Sequence, residues 1–290
     1  MKRILAIGEV VWDVLPTGKK LGGAPVNFAY FAQALGAYSL PVTAIGVDAL
    51  GDETLEALKL TGLDLSLLQR NDLPTSRVLV TTDAAGVPQY EIVEGVAWDA
   101  ISCDERILAE FRDADVVCWG ALAQRSPASR RSILRMLDAA PAGCLKVFDI
   151  NLRQSFYSRE VVEASLLRAD ILKLNEDELP VVASLFGLSG DVPAVIASLI
   201  GQFGLREIIF TEGAVQSSVY DASGLVSRIP TPKVEVIDTV GAGDSFTAAY
   251  IIGRLNGLSV RDAHSKAVEV SAWTCTQAGA INPLPESLKF

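Results

Sequence analysis

DTVGAGDSF, residues 238–246, sets two glycines around an alanine and follows them at once with a carboxylate. Before it, KVEVID (233–238) alternates apolar and polar residues as a strand does. After it, SFTAAYIIGRLNG (245–257) carries the small and apolar residues of a buried helix. The stretch therefore reads as strand, glycine turn, helix. The amides of Gly241, Ala242 and Gly243 fall at a helix N-terminus, where free N–H groups and the helix dipole favour an anion. Asp244 lies in the first turn. It either satisfies the dipole or handles a proton, and the same dipole would keep it a weak base.

The α/β reading extends along the chain. Buried-strand candidates are RILAIGEV (3–10), PVTAIGV (41–47), DVVCWG (115–120), LKVFDI (145–150), DILKLN (170–175) and EIIFTEG (207–213). Amphipathic stretches fall at 25–36, 52–61, 127–139, 160–168, 176–186 and 192–203. Strands alternating with helices predict a parallel sheet covered on both faces. One region departs from this pattern. SRVLVTTDAAGVPQYEIVEG (76–95) reads as a hairpin turning at DAAG, and the loop-rich VVWDVLPTGKKLGG (10–23) is placed to join it. The expectation is one large domain over 1–290 with a small β-sheet inserted at about 10–22 and 74–100.

Composition narrows the function classes. Half of the 290 residues are apolar, which supports a sizeable core. A net charge of −10 gives no basic footprint for nucleic acid and repels anionic membranes. Cys103, Cys118, Cys144 and Cys275 are scattered, with no metal or redox spacing, as in a reduced cytoplasmic protein. No apolar run reaches membrane-spanning length, and the short run after Lys2 and Arg3 is interrupted by Glu9. The one histidine, His264, reads as a surface residue of a late, partly exposed helix, which argues against triad or multi-histidine chemistry.

In an open parallel sheet, ligands bind beyond the strand carboxyl ends. The polar residues there are Glu9, Asp13, Asp149, Asn151, Arg153, Asn175, Glu178, Thr211, Glu212 and Asp238. A second glycine cluster, LGGAPVNFAYFAQALG (21–36), places Gly22 and Gly23 before Pro25 and Asn27 at a helix start. It is either a cap or a place where a ligand approaches the backbone while Asn27 and Asp13 bond to hydroxyls. There is no Walker A run and no G-x-G-x-x-G after the first strand, which excludes the usual P-loop and dinucleotide-binding motifs.

GGAPVNFA with DTVGAGDSFTAA resembles the two signatures of the ribokinase-like (PfkB) family of carbohydrate kinases. GEVVWD (8–13), KLNEDE (173–178), FTEGA (210–214) and the inserted hairpin extend the resemblance over nearly the whole chain. It implies a three-layer α/β/α fold with a mainly parallel central sheet and a small β lid. It also implies ATP-dependent phosphate transfer to a sugar hydroxyl with Mg²⁺. By motif position Asp244 is the base, and Gly241, Ala242 and Gly243 form the anion hole. Asp13, Gly22, Gly23 and Asn27 hold the acceptor. Asn175, Thr211, Gly213 and Gly243 meet the nucleotide, and Glu178 acts on Mg²⁺ through water. Asp238 and TQAGAIN (276–282) correspond to a K⁺ site of the family, and a homodimer through the lid is common in it.

The acceptor reading is finer. Ala24–Pro25 stand where phosphosugar kinases of the family carry lysine, which favours an unphosphorylated sugar. FDINLRQ (148–154) resembles fructokinases and 2-keto-3-deoxygluconate kinases, with Arg153 available to clamp a phosphate or carboxylate. VAWDA (96–100) resembles fructokinases, and Trp98 reads as packing rather than ligand stacking. Fructose is the expected acceptor. Ribose, 2-keto-3-deoxygluconate and a nucleoside are the alternatives within the family. A non-catalytic sensor would show a degraded Asp244 or glycine turn, and both are intact.

Overall fold

The computed structural model describes the chain except residues 16–17 and 83–87. From the N-terminus, β1 (Arg3–Ile7) opens the large sheet, and β2 (Val11–Leu15) and β3 (Gly18–Gly22) belong to a smaller one. Helix α1 (Ala24–Ala34) returns to β4 (Tyr38–Val42), which pairs parallel with β1. A two-stranded ribbon of β5 (Ala44–Gly46) and β6 (Gln69–Asn71) flanks α2 (Ala49–Lys59). Strands β7 (Arg77–Thr82) and β8 (Pro88–Ile92) complete the small sheet. Then follow α3 (Glu105–Arg112), β9 (Val116–Trp119), α4 (Pro127–Ala139), β10 (Leu145–Asp149), α5 (Arg159–Leu166) and β11 (Ile171–Asn175). The chain continues through α6 (Glu178–Phe186), α7 (Val192–Phe203), β12 (Glu207–Glu212), β13 (Gln216–Asp221) and β14 (Gly224–Pro230). It closes with α8 (Ala242–Leu255) and α9 (Val260–Cys275).

The large sheet runs β14-β13-β12-β11-β10-β9-β1-β4, parallel from β4 to β12 and antiparallel at β13 and β14. Its parallel strands are largely buried on both faces. Ile4 and Ala6 of β1 pack under α1, α8 and α9, whereas Leu5 and Ile7 join the core under α3 to α7. The alternation repeats in β9, where Val116 and Cys118 face one cluster and Val117 and Trp119 the other. This two-sided burial explains why the strands read as apolar runs. From β1 the chain moves first to β4 on one side and later to β9 on the other, so the switch point lies at β1 and β9.

The small sheet has the order β3-β2-β7-β8, with β2 parallel to β7 and both outer pairs antiparallel. The segments at 10–23 and 76–95 therefore do combine. The expected tip at DAAG (83–86) lies outside the described residues.

Three readings are corrected. PVTAIGV is not one strand: β4 starts earlier at Tyr38, ends at Val42, and β5 turns away to pair with β6. KVEVID forms no strand, since residues 231–236 are irregular after β14. No strand of the sheet pairs with it, and Val236 and Ile237 are left 58% and 64% exposed. His264 is not a surface residue. It is fully buried in α9, with Nε2 2.8 Å from Ser217 Oγ of β13 and Nδ1 2.8 Å from Ser227 Oγ of β14. Trp98 packs as expected, with no exposed surface. Among the described residues no helix is long and apolar enough to cross a membrane, and all four cysteines are free.

Burial pushes the His264 pKa down to about 4. In the unfolded chain it returns to the ordinary value of about 6.5, so unfolding takes up a proton between those pH values. The stability His264 contributes as a neutral ring is intact above about pH 6.5 and lost as pH falls toward about 4. Urea titrations should show stability falling by up to about 1.4 kcal/mol per pH unit in that window, with the slope reduced in His264→Asn. An unchanged slope in the variant refutes the assignment.

Candidate active site

A cavity of about 1210 Å³ opens at the carboxyl ends of the parallel strands, beside the small sheet. Asp13, Gly22, Gly23, Asn27 and Arg153 line one part of it, together with Glu9 and Asn151. Asn175, Thr211 and Gly213 line another, and Gly241, Ala242, Gly243 and Asp244 lie on its wall. Two expected residues, Glu178 and Asp238, are not among the lining.

The two glycine clusters meet here. Asn27 Nδ2 donates to Asp244 Oδ2 at 2.8 Å, which joins the first turns of α1 and α8. Glycine is required at both turns. At Gly23, with φ 122°, a Cβ would stand 2.5 Å from the Glu9 carbonyl oxygen. At Gly241, with φ 80°, it would stand 2.6 Å from Ala280 Cβ. Among the described residues, the N–H groups of Gly241, Gly243 and Asp244 have no partner in the protein, whereas Ala242 N–H already donates to Thr239 O at 3.2 Å. The free donors at the α8 N-terminus suit an oxyanion.

Asp244 keeps some exposure to the cavity, but its carboxyl is withdrawn from bulk water. Burial pushes its pKa up to about 7, and the neighbouring Asp149 carboxylate adds to the rise. Asn27, Lys173 and Arg153 act in the opposite direction. The dipole argument made Asp244 a weak base. Desolvation outweighs it, and the group is poised near neutrality.

Lys173 escaped the sequence reading, although a lysine inside the apolar run DILKLN was a visible signal. It is buried on the α8 face of β11 and lines the cavity beneath Gly243, whose added Cβ would lie 3.1 Å from Nζ. Its Nζ is 3.2 Å from Asp149 Oδ1, and Asp149 Oδ2 accepts from Thr247 Oγ1 of α8 at 3.0 Å. Burial opposes the ammonium, but Asp149, Glu178 and Asp244 together raise the Lys173 pKa. The ammonium therefore stays charged.

Glu178 spans two loops. Its Oε1 accepts from Leu152 N at 2.8 Å and its Oε2 from Asn175 N at 2.9 Å. The Asn175 side-chain oxygen accepts from Asp177 N and Glu178 N, so this side chain starts α6. Register pairing sets Asn175 beside Thr211 at the ends of β11 and β12. Asp13, paired with Lys20 across β2 and β3, has its pKa raised by burial. Asp238 holds the Lys20 ammonium at 2.9 Å and accepts from Gly279 N and Val240 N. Its carboxylate is thus engaged by a lysine of the small sheet. No three Asp, Glu, His or Cys side chains converge as a metal cage among the described residues.

The family profile described as "pfkB family carbohydrate kinase" matches residues 4–287. The chain belongs to the pfkB family of carbohydrate kinases. This pfkB chain has relatives along nearly its full length. It is 32% identical over 310 residues to the 2-dehydro-3-deoxygluconokinase of Escherichia coli, covering 97% of each protein. It is 25% identical over 300 residues to the ATP-dependent 6-phosphofructokinase of Thermoanaerobacterium thermosaccharolyticum, covering 98% of this chain and 91% of that protein. The fold matches the crystal structure of a fructokinase with bound ATP from Xylella fastidiosa with a TM-score of 0.84. That match covers 96% of this chain and 93% of the other at 22% identity, and it is a likeness of fold.

Lys173→Met should destabilise this pfkB kinase by about 3–5 kcal/mol, because Asp149 is left as a buried, unpaired charge. Urea unfolding followed by circular dichroism measures this. A loss below about 1 kcal/mol would show that the pair carries no such weight.

Proposed function

We propose that the protein transfers the γ-phosphate of ATP to a hydroxyl of an unphosphorylated sugar, fructose in the first instance. The observation that carries the reading is the bond between Asn27 and Asp244 at the free N–H groups of α8. It sets a base poised near neutrality beside an anion site, at the edge of a subsite bearing Asp13 and Gly23. The small sheet is proposed to act as a lid over this subsite.

In the proposed reaction, the acceptor hydroxyl donates a hydrogen bond to ionised Asp244. Its oxygen bonds to the γ-phosphorus as the bridging P–O bond to ADP breaks, and the proton passes to Asp244 as that bond forms. The N–H groups of Gly241 and Gly243 and the Lys173 ammonium offset the charge on the transferring group. Asp13 and Asn27 orient the acceptor, and Asn175, Thr211 and Gly213 meet the nucleotide. Mg²⁺ supplies charge neutralisation when bound with the nucleotide. The cavity fits a metal that keeps its waters and binds mainly through phosphates, since Glu176 and Asp177 line it and no cage is present among the described residues. Any Glu178 contact would pass through water, because both of its oxygens already accept backbone N–H groups. A K⁺ ion at Asp238 would have to share that carboxylate with Lys20. Cytoplasmic location and pairing of two chains through the small sheet, where Val14 is 39% exposed, complete the proposal.

Arg153 supports a second acceptor, 2-keto-3-deoxygluconate. It lines the cavity near Asp13 and makes no ion pair among the described residues, so it is free to take a carboxylate.

Asp244→Asn should retain the fold and lower kcat by about 10²–10⁴. In the wild type, kcat/KM should rise with pH through about 7 as Asp244 ionises. Near-normal turnover in the variant refutes its role as base.

ADP release should be measured with fructose, 2-keto-3-deoxygluconate, ribose, nucleosides and fructose 6-phosphate. Fructose should give the highest kcat/KM. Preference for 2-keto-3-deoxygluconate with strong loss in Arg153→Ala selects the second reading. Preference for fructose 6-phosphate overturns both.

A further inference from the structure

A second cavity, of about 560 Å³, lies where the N-terminus of α4 faces the loop before α5. Nothing in the phosphotransfer reaction uses it. Its wall includes Arg125, Arg130 and Arg131, a concentration of positive charge in a chain of net charge −10.

Arg125 has a built environment. Its side chain is only 4% exposed and is held as a fork on Asp99, with Nε to Oδ1 at 2.8 Å and Nη2 to Oδ2 at 2.9 Å. Nη2 also donates to Val93 O at 2.6 Å. The guanidinium is stacked between Trp98, at 4.0 Å, and Phe156, at 4.7 Å. Its Nη1 is buried and has no hydrogen-bond partner. A buried donor left unpaired costs about 1–3 kcal/mol, so a ligand oxygen that reached it would be favoured. Arg130 spends one nitrogen on Glu160 O at 2.8 Å. Arg131 is exposed and has no partner among the described residues. The N-terminus of α4, a helix of 13 residues, adds its dipole to the same wall.

Two further features narrow the ligand. Glu94 also lines the cavity and has no partner among the described residues, so it accepts hydroxyl donors and repels a bare anion. Phe156 and Tyr157 provide faces for the C–H side of a sugar. We infer that this cavity binds a sugar phosphate, with the phosphate monoester on the arginines, hydroxyls on Glu94 and the carbon skeleton against the aromatic rings.

The cavity is connected to the active site. Asn151, Arg153 and Gln154 line the first cavity, and Phe156 and Tyr157, a few residues on, line the second. Asn151 and Gln154 hold left-handed backbone at φ 42° and 49°, and Phe156 N donates to Arg153 O at 3.0 Å. Strand β8 ends in the same way, with Ile92 in the first cavity and Glu94 in the second. A ligand on Phe156 and Glu94 thus acts on Arg153 and on the small sheet, and occupancy changes the KM for the acceptor. Sugar phosphates include the product class of a carbohydrate kinase, so the site provides product-linked control. The binding itself does not depend on which acceptor the enzyme uses.

The test is calorimetric titration of the full chain with fructose 6-phosphate and with inorganic phosphate, without ATP. Wild type and Asp13→Ala should bind fructose 6-phosphate alike, and Arg131→Ala should bind it about tenfold more weakly, which is about 1.4 kcal/mol. Inorganic phosphate should bind more weakly than fructose 6-phosphate, and Glu94→Gln should narrow that difference. With the acceptor varied, fructose 6-phosphate should shift KM in wild type but not in Arg131→Ala, whose basal turnover stays normal. Loss of binding in Asp13→Ala with none in Arg131→Ala places the ligand in the first cavity and overturns the inference. So does failure of wild type to bind fructose 6-phosphate at millimolar concentration. Equal affinity for the two ligands overturns the sugar part, and an unmoved KM overturns the coupling. The titrations read binding without turnover, so they stand whether or not the enzyme phosphorylates fructose.

Discussion

The hydrogen bond from Asn27 Nδ2 to Asp244 Oδ2 spans 217 residues of sequence and ties together two helix N-termini. It requires α1 and α8 to start almost in contact at the strand ends. That approach in turn requires glycine at positions 23 and 241, where a Cβ would strike the Glu9 carbonyl or Ala280. Much of the site follows from it. The free amides of α8 look into the cavity, Asp244 lies on the same wall, and α1 and α8 share one core beneath the sheet. Buried Phe28, Phe246 and Tyr250 hold that core, so the polar contact rests on apolar packing rather than the reverse.

Electrostatics at the strand ends are a balance of buried charges. Asp149, Glu178 and Asp244 surround one buried cation, Lys173. The helix dipole favours an ionised Asp244 by about 0.3–1 kcal/mol. Desolvation and Asp149 act against it and win, because a buried carboxylate loses far more in hydration than a helix terminus returns. A carboxyl poised near neutrality is the outcome. In the proposed reaction the anion site relies on oriented N–H groups and one buried ammonium.

Local signals carried much of the architecture. Two stretches, 127–139 and 192–203, coincide with α4 and α7, because Ser126 and Asp191 cap their first turns and proline stands at the start of each. Strands buried on both faces were legible as apolar runs. The failures have a common cause. KVEVID has strand alternation but no partner ladder, and alternation alone does not supply one. PVTAIGV is uniformly apolar, so nothing local marks where β4 ends and β5 leaves the sheet. His264 stands in a mixed helix, and only the serines of β13 and β14, brought against α9 by folding, make a buried neutral ring tolerable.

The sequence by itself determined the alternating α/β plan, the two glycine turns and the carboxylate that follows the second. These are local: glycine, proline and apolar periodicity act on the residues beside them. Only the tertiary structure decided that Asn27 reaches Asp244, that Lys173 stands beneath Gly243, that Lys20 meets Asp238, and that Arg125 lies over two aromatic rings. Each depends on distance and desolvation between residues far apart in the chain. A side chain's charge is written in the sequence, but the energy of that charge is set by what folding places around it.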